Sequence, residues 1–378
     1  MATRNGAALN GRALPVLGRG AVSCFGTGTM ALLDAVFAGR CGIAPLRRFA
    51  GLDVLTAVAA ELPQAVITEA TGMPLVAWLA RAAAEQAIAE AGLAAADVAL
   101  VLATTKADLG GIDGLGDGFG SPLRLLDTLV AALGIGGPSL AVSSACASGL
   151  SALAMARRWL LAGQATAVLV VGADVLSTFV LRGFSALLAL DPGPCRPFDR
   201  SRRGLSLGEG AGALVLGASG PSPLGVALLG AGESNDAHGI TTPSPDGRGL
   251  LRACRAALAT AGLTPLTIDV VHLHGTGTPY NDTMEGAAMT ALFEPVPPLT
   301  ACKAQIGHTL GAAGLLESLV AIEMLRTGSA PANHGLIEPD GPANLRLLRE
   351  RTELPRHRTC LKVAAGFGGI DAALVFGA

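Results

Sequence analysis

Residues 138–150 read PSLAVSSACASGL: an apolar strand, a tight run of small residues, then the start of a helix. Cys146 sits where the strand hands over to the helix. A thiolate there would feel the positive end of the helix dipole, which lowers its pKa and favours attack. Ala145, Ala147 and Gly149 leave room for a substrate carbonyl, and local backbone N–H groups can hold an oxyanion. The same mechanical idea underlies the nucleophile elbow of hydrolases. Taken alone, the segment fits a buried structural cysteine equally well.

Outward from this segment, short apolar runs alternate with helical stretches, the pattern of an α/β protein. Buried strands are expected at 98–103, 140–143, 167–172, 211–216, 270–274 and 373–376. Helices are expected at 74–91, 148–162, 248–261, 282–292 and 312–326, with Pro74 in a first turn and Gly92 as a stop. A soft break at 217–224 separates two strands, and no close sequence repeat is visible.

Of 378 residues, 51% are hydrophobic and only 15% charged, which excludes disorder and calls for a large core. The net charge of −2 offers no general attraction to nucleic acid or an anionic membrane. Residues 128–156 carry no charge, yet Gly136-Gly137-Pro138-Ser139 breaks the run and Ser143, Ser144 and Ser148 lie within it, so two buried elements around a turn are expected rather than a membrane span. The opening MATRNGAALNGRAL lacks the features of a signal peptide, which points to the cytoplasm. Seven cysteines lie scattered without CxxC pairing, against a disulfide framework or a zinc site.

Two histidines stand in small-residue loops. His274 opens HGTGTPYND (274–282), where Thr276 and Thr278 offer hydroxyls to a polar ligand arm. His308 lies in CKAQIGHTLGAAGLLE (302–317). Only Lys106, Lys303 and Lys362 are lysines in a chain that otherwise uses arginine, so Lys303, five residues before His308, suggests a need for a compact ammonium. Lys106 and Lys362 have no comparable reading. The stretch AAGFGGIDAALVF (364–376) flanks Phe367 with glycines, letting the backbone approach a reaction centre and the ring swing. No nucleotide-binding glycine motif is present.

Taken together, SSACASG around Cys146, HGTGTPYND, KAQIGH with Lys303 and His308, and GFGG at Phe367 resemble the β-ketoacyl-acyl carrier protein synthases of types I and II, in order and spacing. The segments RPFDRSRRGLSLGEGAGALVL (196–216) and ESNDAHGITTPSPDG (233–247) extend the resemblance from Ala21 onward. It implies a thiolase fold of two similar α/β halves in α-β-α-β-α layers, here 1–219 with the nucleophile and 220–378 with the histidines, and a homodimer or a heterodimer with a related synthase or chain-length factor. It implies that Cys146 accepts an acyl group from a carrier-protein thioester. His274 and His308 would bind the malonyl thioester carbonyl, promote loss of CO₂ and stabilise the enolate, whose attack on acyl-Cys146 gives a 3-oxoacyl product. The N–H groups of Cys146 and Phe367 would form a second oxyanion hole. Lys303 would tune the histidine field with Glu317 as its partner, Thr276 and Thr278 would meet the pantetheine arm, and Asp236 would lie in a mobile gate beside Phe367. Arg202 and Arg203 would dock the acidic acyl carrier protein. No metal or redox cofactor is implied; substrates ride on the carrier's phosphopantetheine.

The chain departs from the family pattern at Val363-Ala364-Ala365, where Asn-Ser-Phe is usual, and is short between Cys41 and Cys146. Near Leu75–Gly92 Arg81 is the only cation, where a basic carrier-docking helix is usual. The shortened first half, GFSALLALDPGPCRPFDRSRRG and SNDAHGITTPSPDG look closest to synthases of aryl polyene-type pathways. A thiolase would carry a second cysteine near Phe367-Gly368-Gly369, and a type III or chalcone-type synthase would have Asn in place of His308. A non-catalytic chain-length-factor-like subunit typically lacks the nucleophile, which this chain keeps.

Overall fold

The computed structural model describes residues 11–70, 72–107, 120–354 and 358–378. The reading of the N-terminus as free of a signal peptide falls largely outside them. Among the described residues the main sheet has 12 strands; besides the short Gly26–Thr27 and Arg346–Leu347 they are β1 (Leu14–Ser23), β2 (Ala99–Ala103), β3 (Ser139–Val142), β4 (Ala167–Asp174), β5 (Gly210–Gly217), β6 (Ala227–Asn235), β7 (Val270–His272), β8 (Pro298–Thr300), β9 (Thr359–Gly366) and β10 (Ile370–Gly377). They lie side by side in the order β3-β2-β4-β5-β1-β6-β10-β9-β7-β8.

That order contains a duplication. Read from its first strand, the first half runs 1-5-4-2-3 and the second 6-10-9-7-8. Directions match too: the first two pairings of each half are antiparallel and the last two parallel. The halves meet edge to edge only where Leu14 faces Leu228 and Pro15 faces Ala227.

Helices repeat in step. Besides Thr29–Phe37 and Gln64–Glu69, the first half has α1 (Leu75–Ala91), α2 (Pro122–Leu133) and α3 (Ser148–Leu161), and α4 (Thr178–Ala186) lies in the excursion between β4 and β5. In the second half α5 (Arg248–Ala261), α6 (Pro279–Leu292) and α7 (Ala313–Thr327) occupy the places of α1, α2 and α3. Both sheets are apolar on both faces, so alternate side chains divide between cores. Leu100, Leu102, Leu169 and Val171 point outward onto α1 and α2, while Val101, Ala103, Val168 and Val170 point inward. Leu361, Val363, Ala373 and Val375 likewise face α5 and α6. The inward residues of both sheets close on α3 and α7, giving the expected α-β-α-β-α sandwich with these two helices as its central layer.

Several elements shift from expectation. Pro74 is the N-cap of α1 rather than part of its first turn, while Gly92 stops the helix at φ 63°. Helix α6 starts at Pro279, three residues before Asp282, because proline fits a first turn whose N–H needs no partner. The uncharged run 128–156 covers three elements, not two: the end of α2, all of β3 and the start of α3. Among the described residues no helix is long and apolar enough to cross a membrane.

Candidate active site

The third strand of each half leads through a short loop into a central helix, β3 into α3 and β8 into α7. Cys146 lies in the first of these loops; Lys303 and His308 lie in the second. The two helices approach backbone to backbone near their starts: a Cβ added to Gly149 would stand 2.9 Å from Gly314 Cα, and one on Gly314 would stand 2.8 Å from Leu150 N. Gly149 therefore serves helix contact, not the room for a substrate carbonyl expected of it. This contact draws the two loops together, and Cys146, His274, His308 and Phe367 line one cavity of about 320 Å³.

Two residues beside these groups hold strained backbone. Ala145, just before the cysteine, has φ 46°, and Leu310, two after His308, has φ 54°. Left-handed conformations cost a side-chain-bearing residue roughly 1–2 kcal/mol and persist where surrounding contacts enforce them. Ser148 Oγ braces the cysteine turn, accepting from Ser144 N at 2.8 Å and donating to Ala145 O at 2.6 Å. Leu310 N–H donates to His308 Nδ1 at 3.1 Å.

The Cys146 thiol is buried, and burial pushes its pKa up to about 11. Lys303 and the backbone N–H of Phe367 act in the opposite direction without prevailing. Against the expectation of a lowered pKa, desolvation of the thiolate is the largest influence and acts upward. The Phe367 turn reaches the cysteine because Gly366 has no side chain; a Cβ there would lie 3.2 Å from Cys146 N and 3.1 Å from Ser144 O. The Phe367 ring stacks on Phe184 of α4, centroids 5.8 Å apart.

The imidazoles meet edge to face, with ring centroids 5.3 Å apart at 86°. Their tautomers follow from their partners. Lys303 Nζ lies 3.0 Å from His274 Nδ1 and, an ammonium having only protons to give, makes that nitrogen an acceptor. Leu310 N–H does the same for His308 Nδ1. Each ring therefore keeps its proton on Nε2. Burial first, then Lys303, drives His308 down to about 3 and His274 well below its ordinary value, so both are neutral near pH 7. Two neutral N–H donors beside a cysteine can hold one carbonyl oxygen as it gains charge.

Lys303 also donates to the His274 carbonyl at 2.6 Å and pairs with Glu317. Glu317 is fully buried and does not line the cavity, so it is no substrate ligand. Burial would raise its pKa, but Lys303 and Lys362 hold it down at about 2. The loop carrying His274 is pinned by Glu285, which accepts from His274 N at 2.6 Å and Gly275 N at 2.7 Å.

Thr276 and Thr278 line the cavity and share a hydrogen bond of 2.9 Å between hydroxyls. Asp236 does not line it. Its carboxylate accepts from His238 N and Ser244 N at 2.9 and 2.8 Å, while its own N–H donates to Gly369 O, tying the 236–244 loop to the Phe367 turn. Asp236 orders the 236–244 loop against the Phe367 turn and does not face the cavity. Arg202 and Arg203 diverge. The Arg202 side chain is 7% exposed and pairs with Asp340 at 2.7 Å and Asp282 at 3.8 Å, which removes it from any docking surface. Arg203 is 66% exposed at the cavity mouth, paired with Asp191 at 3.2 Å.

Phe184, Glu285 and Lys362 were missed by sequence reasoning. Only Lys362 left a signal there, since the rarity argument made for Lys303 applies to it equally.

Paired α/β halves around two central helices, with a cysteine before one and a histidine before the other, define the thiolase fold. Residues 128–219 match the β-ketoacyl synthase N-terminal domain and residues 226–336 its C-terminal domain, together more than half of the chain. The chain belongs to the β-ketoacyl synthase family. It is 37% identical to nodulation protein E of Rhizobium leguminosarum bv. trifolii over 65% of this chain and 62% of that protein. The match to 3-oxoacyl-[acyl-carrier-protein] synthase 2 of Vibrio harveyi is 29% identical over 97% of this chain and 98% of that protein. The solved ishigamide ketosynthase/chain length factor superposes with a TM-score of 0.87 at 28% identity, over 97% of this chain and 99% of that chain.

Proposed function

We propose that the chain catalyses decarboxylative Claisen condensation, joining an acyl thioester to malonyl-acyl carrier protein to give 3-oxoacyl-acyl carrier protein and CO₂. The observation that carries this reading is the pair of neutral histidines whose protonated Nε2 atoms are fixed by Lys303 and Leu310 beside Cys146. In the first step the Cys146 sulfur attacks the acyl carbonyl and the carrier thiol departs with the cysteine's proton. Malonyl carrier protein then seats its thioester oxygen on the two Nε2–H groups. The bond to its carboxyl group breaks, CO₂ leaves, and the electron pair is held as an enolate. The enolate carbon attacks acyl-Cys146, the N–H groups of Cys146 and Phe367 hold the new oxyanion, and collapse releases the cysteine, which takes a proton from solvent. Lys303 fixes His274, and the Leu310 N–H fixes His308. The reaction calls for no metal or redox group, its substrates arriving on phosphopantetheine.

Thr276 and Thr278 suit the amides of a pantetheine arm, and exposed Arg203 suits an acidic carrier surface. The likeness to a ketosynthase/chain length factor structure supports pairing with a related subunit, a second copy of this chain being the other arrangement. We place the chain's work in the cytoplasm, in fatty acid, polyketide or aryl polyene-type synthesis, on the segments quoted above. Intact mass after incubation with a panel of acyl-carrier thioesters tests the assignment. An acyl adduct lost in Cys146→Ala, with CO₂ released from malonyl carrier protein, supports it; no adduct with any primer favours a non-catalytic partner subunit.

A further inference from the structure

The site rests on a second buried lysine that the reaction above does not use. Strand β9 sets Lys362 in parallel register with His272 of β7. Lys362, His272, Lys303 and Glu317 are all 0% exposed. Lys362 Nζ lies 2.6 Å from Glu317 Oε2, and donates to Val363 O at 2.6 Å and Leu273 O at 3.1 Å. The other oxygen of Glu317 pairs with Lys303. One carboxylate thus serves two ammonium groups.

A single Lys303–Glu317 pair would already be neutral, with Glu317 Oε2 facing only Lys362 among the described residues. A second buried ammonium costs desolvation that an apolar side chain at 362 would avoid. Burial lowers the pKa of Lys362 and Glu317 opposes that; as an ammonium Lys362 gives the cluster one excess positive charge. Three groups of elements face Lys362: β7 with His272 and the Leu273 carbonyl, the 302–306 segment with Lys303 and the Cys302 thiol, and α7 with Glu317. His272 donates from Nδ1 to Leu273 O at 3.0 Å and leaves Nε2 without a partner.

We propose that Lys362 is a positioning residue for decarboxylation: by occupying one oxygen of Glu317 it confines Lys303 to the other, holds that ammonium on His274 Nδ1, and keeps a standing positive charge under the enolate site. This rests on the function proposed above. The direction of titration agrees with it, since Lys362 stands among the groups that lower the pKa of His272, His274 and His308, after burial in each case. With Lys362 gone, Glu317 is free to turn both oxygens to Lys303, which then leaves His274.

The test uses the full chain and the variants Lys362→Met and Lys362→Gln, with malonyl-pantetheine as substrate and an acyl-pantetheine primer. Lys362→Met is expected to slow CO₂ release by roughly 10- to 100-fold in kcat with KM little changed, while acylation of Cys146 stays within about threefold. Histidine ¹⁵N NMR supplies a readout independent of turnover. In the parent, His274 and His308 stay neutral down to acid unfolding; in the variant their titration moves up by about one pH unit or more. Parental CO₂ release and histidine titration in the variants would reduce Lys362 to a core ion pair and overturn the inference. Should neither variant fold, Lys362 is a stability requirement, which also overturns it. A parent that folds but releases no CO₂ sinks the proposed function itself, and this inference with it.

Discussion

The two halves share a strand order and three equivalent helices, yet their matching loops do opposite electrostatic work. After β3 the first half offers a five-residue turn of small side chains, and the central helix behind it is uncharged until Arg157. After β8 the second half offers Lys303 and His308, and its central helix carries a fully buried Glu317. The first loop therefore supplies a thiol that burial keeps protonated, the second a charged floor that adds to burial in keeping two imidazoles neutral. The same contrast marks the strand pairs β4–β5 and β9–β10. The second is closed by the tight Phe367 turn, while the first opens into the 175–209 excursion that supplies Phe184, against which the Phe367 ring stacks. One frame used twice gives a nucleophile side and a carbonyl-binding side.

The division of labour can be broken one side at a time. Cys146→Ala should abolish condensation and the acyl adduct, by at least about 10³-fold, while malonyl decarboxylation on the opposite loop persists. Steady-state condensation and CO₂ release, measured on one preparation, separate the two; loss of both would mean that the halves do not act separately. His274→Ala and His308→Ala should each slow CO₂ release by roughly 10²- to 10³-fold and leave acylation of Cys146 standing, as expected of losing one donor to a charged oxygen. Intact mass against time checks the second half of that statement.

Glu317→Gln probes the floor itself. It leaves two buried ammonium groups with no counter-charge and should cost about 3–5 kcal/mol in denaturant unfolding, more than Cys146→Ala costs on the nucleophile side. The smallest effect concerns pH. A thiol raised to about 11 is mostly protonated at neutrality, so its thiolate fraction climbs as pH rises toward that value. Iodoacetamide alkylation of Cys146 should therefore accelerate by about tenfold per pH unit from 7 to 9 without a plateau. A plateau below pH 8 would mean that the α3 terminus prevails over burial after all.

The sequence by itself determined the α/β class, most helices, and the identity of Cys146, His274, His308, Lys303 and Phe367. Those residues sit in local patterns of small residues, glycine and proline that can be read from the chain alone. Strand β1 escaped notice because Gly18 and Gly20 break its apolar pattern; they are there because α1 lies against it, a Cβ at Gly20 meeting Ala83 O at 1.9 Å. That is a property of packing, and no neighbour in sequence reports it. Only the tertiary structure decided the rest. It sent Arg202 inward and Arg203 outward from one turn, gave Asp236 to the 236–244 loop and Glu317 to the lysines, raised the thiol that a helix terminus was expected to lower, and set Lys362 beside His272. The physical reason is common to all of them. Burial and charge partners arise from residues far apart in sequence, and in a low-dielectric interior those terms outweigh the local ones.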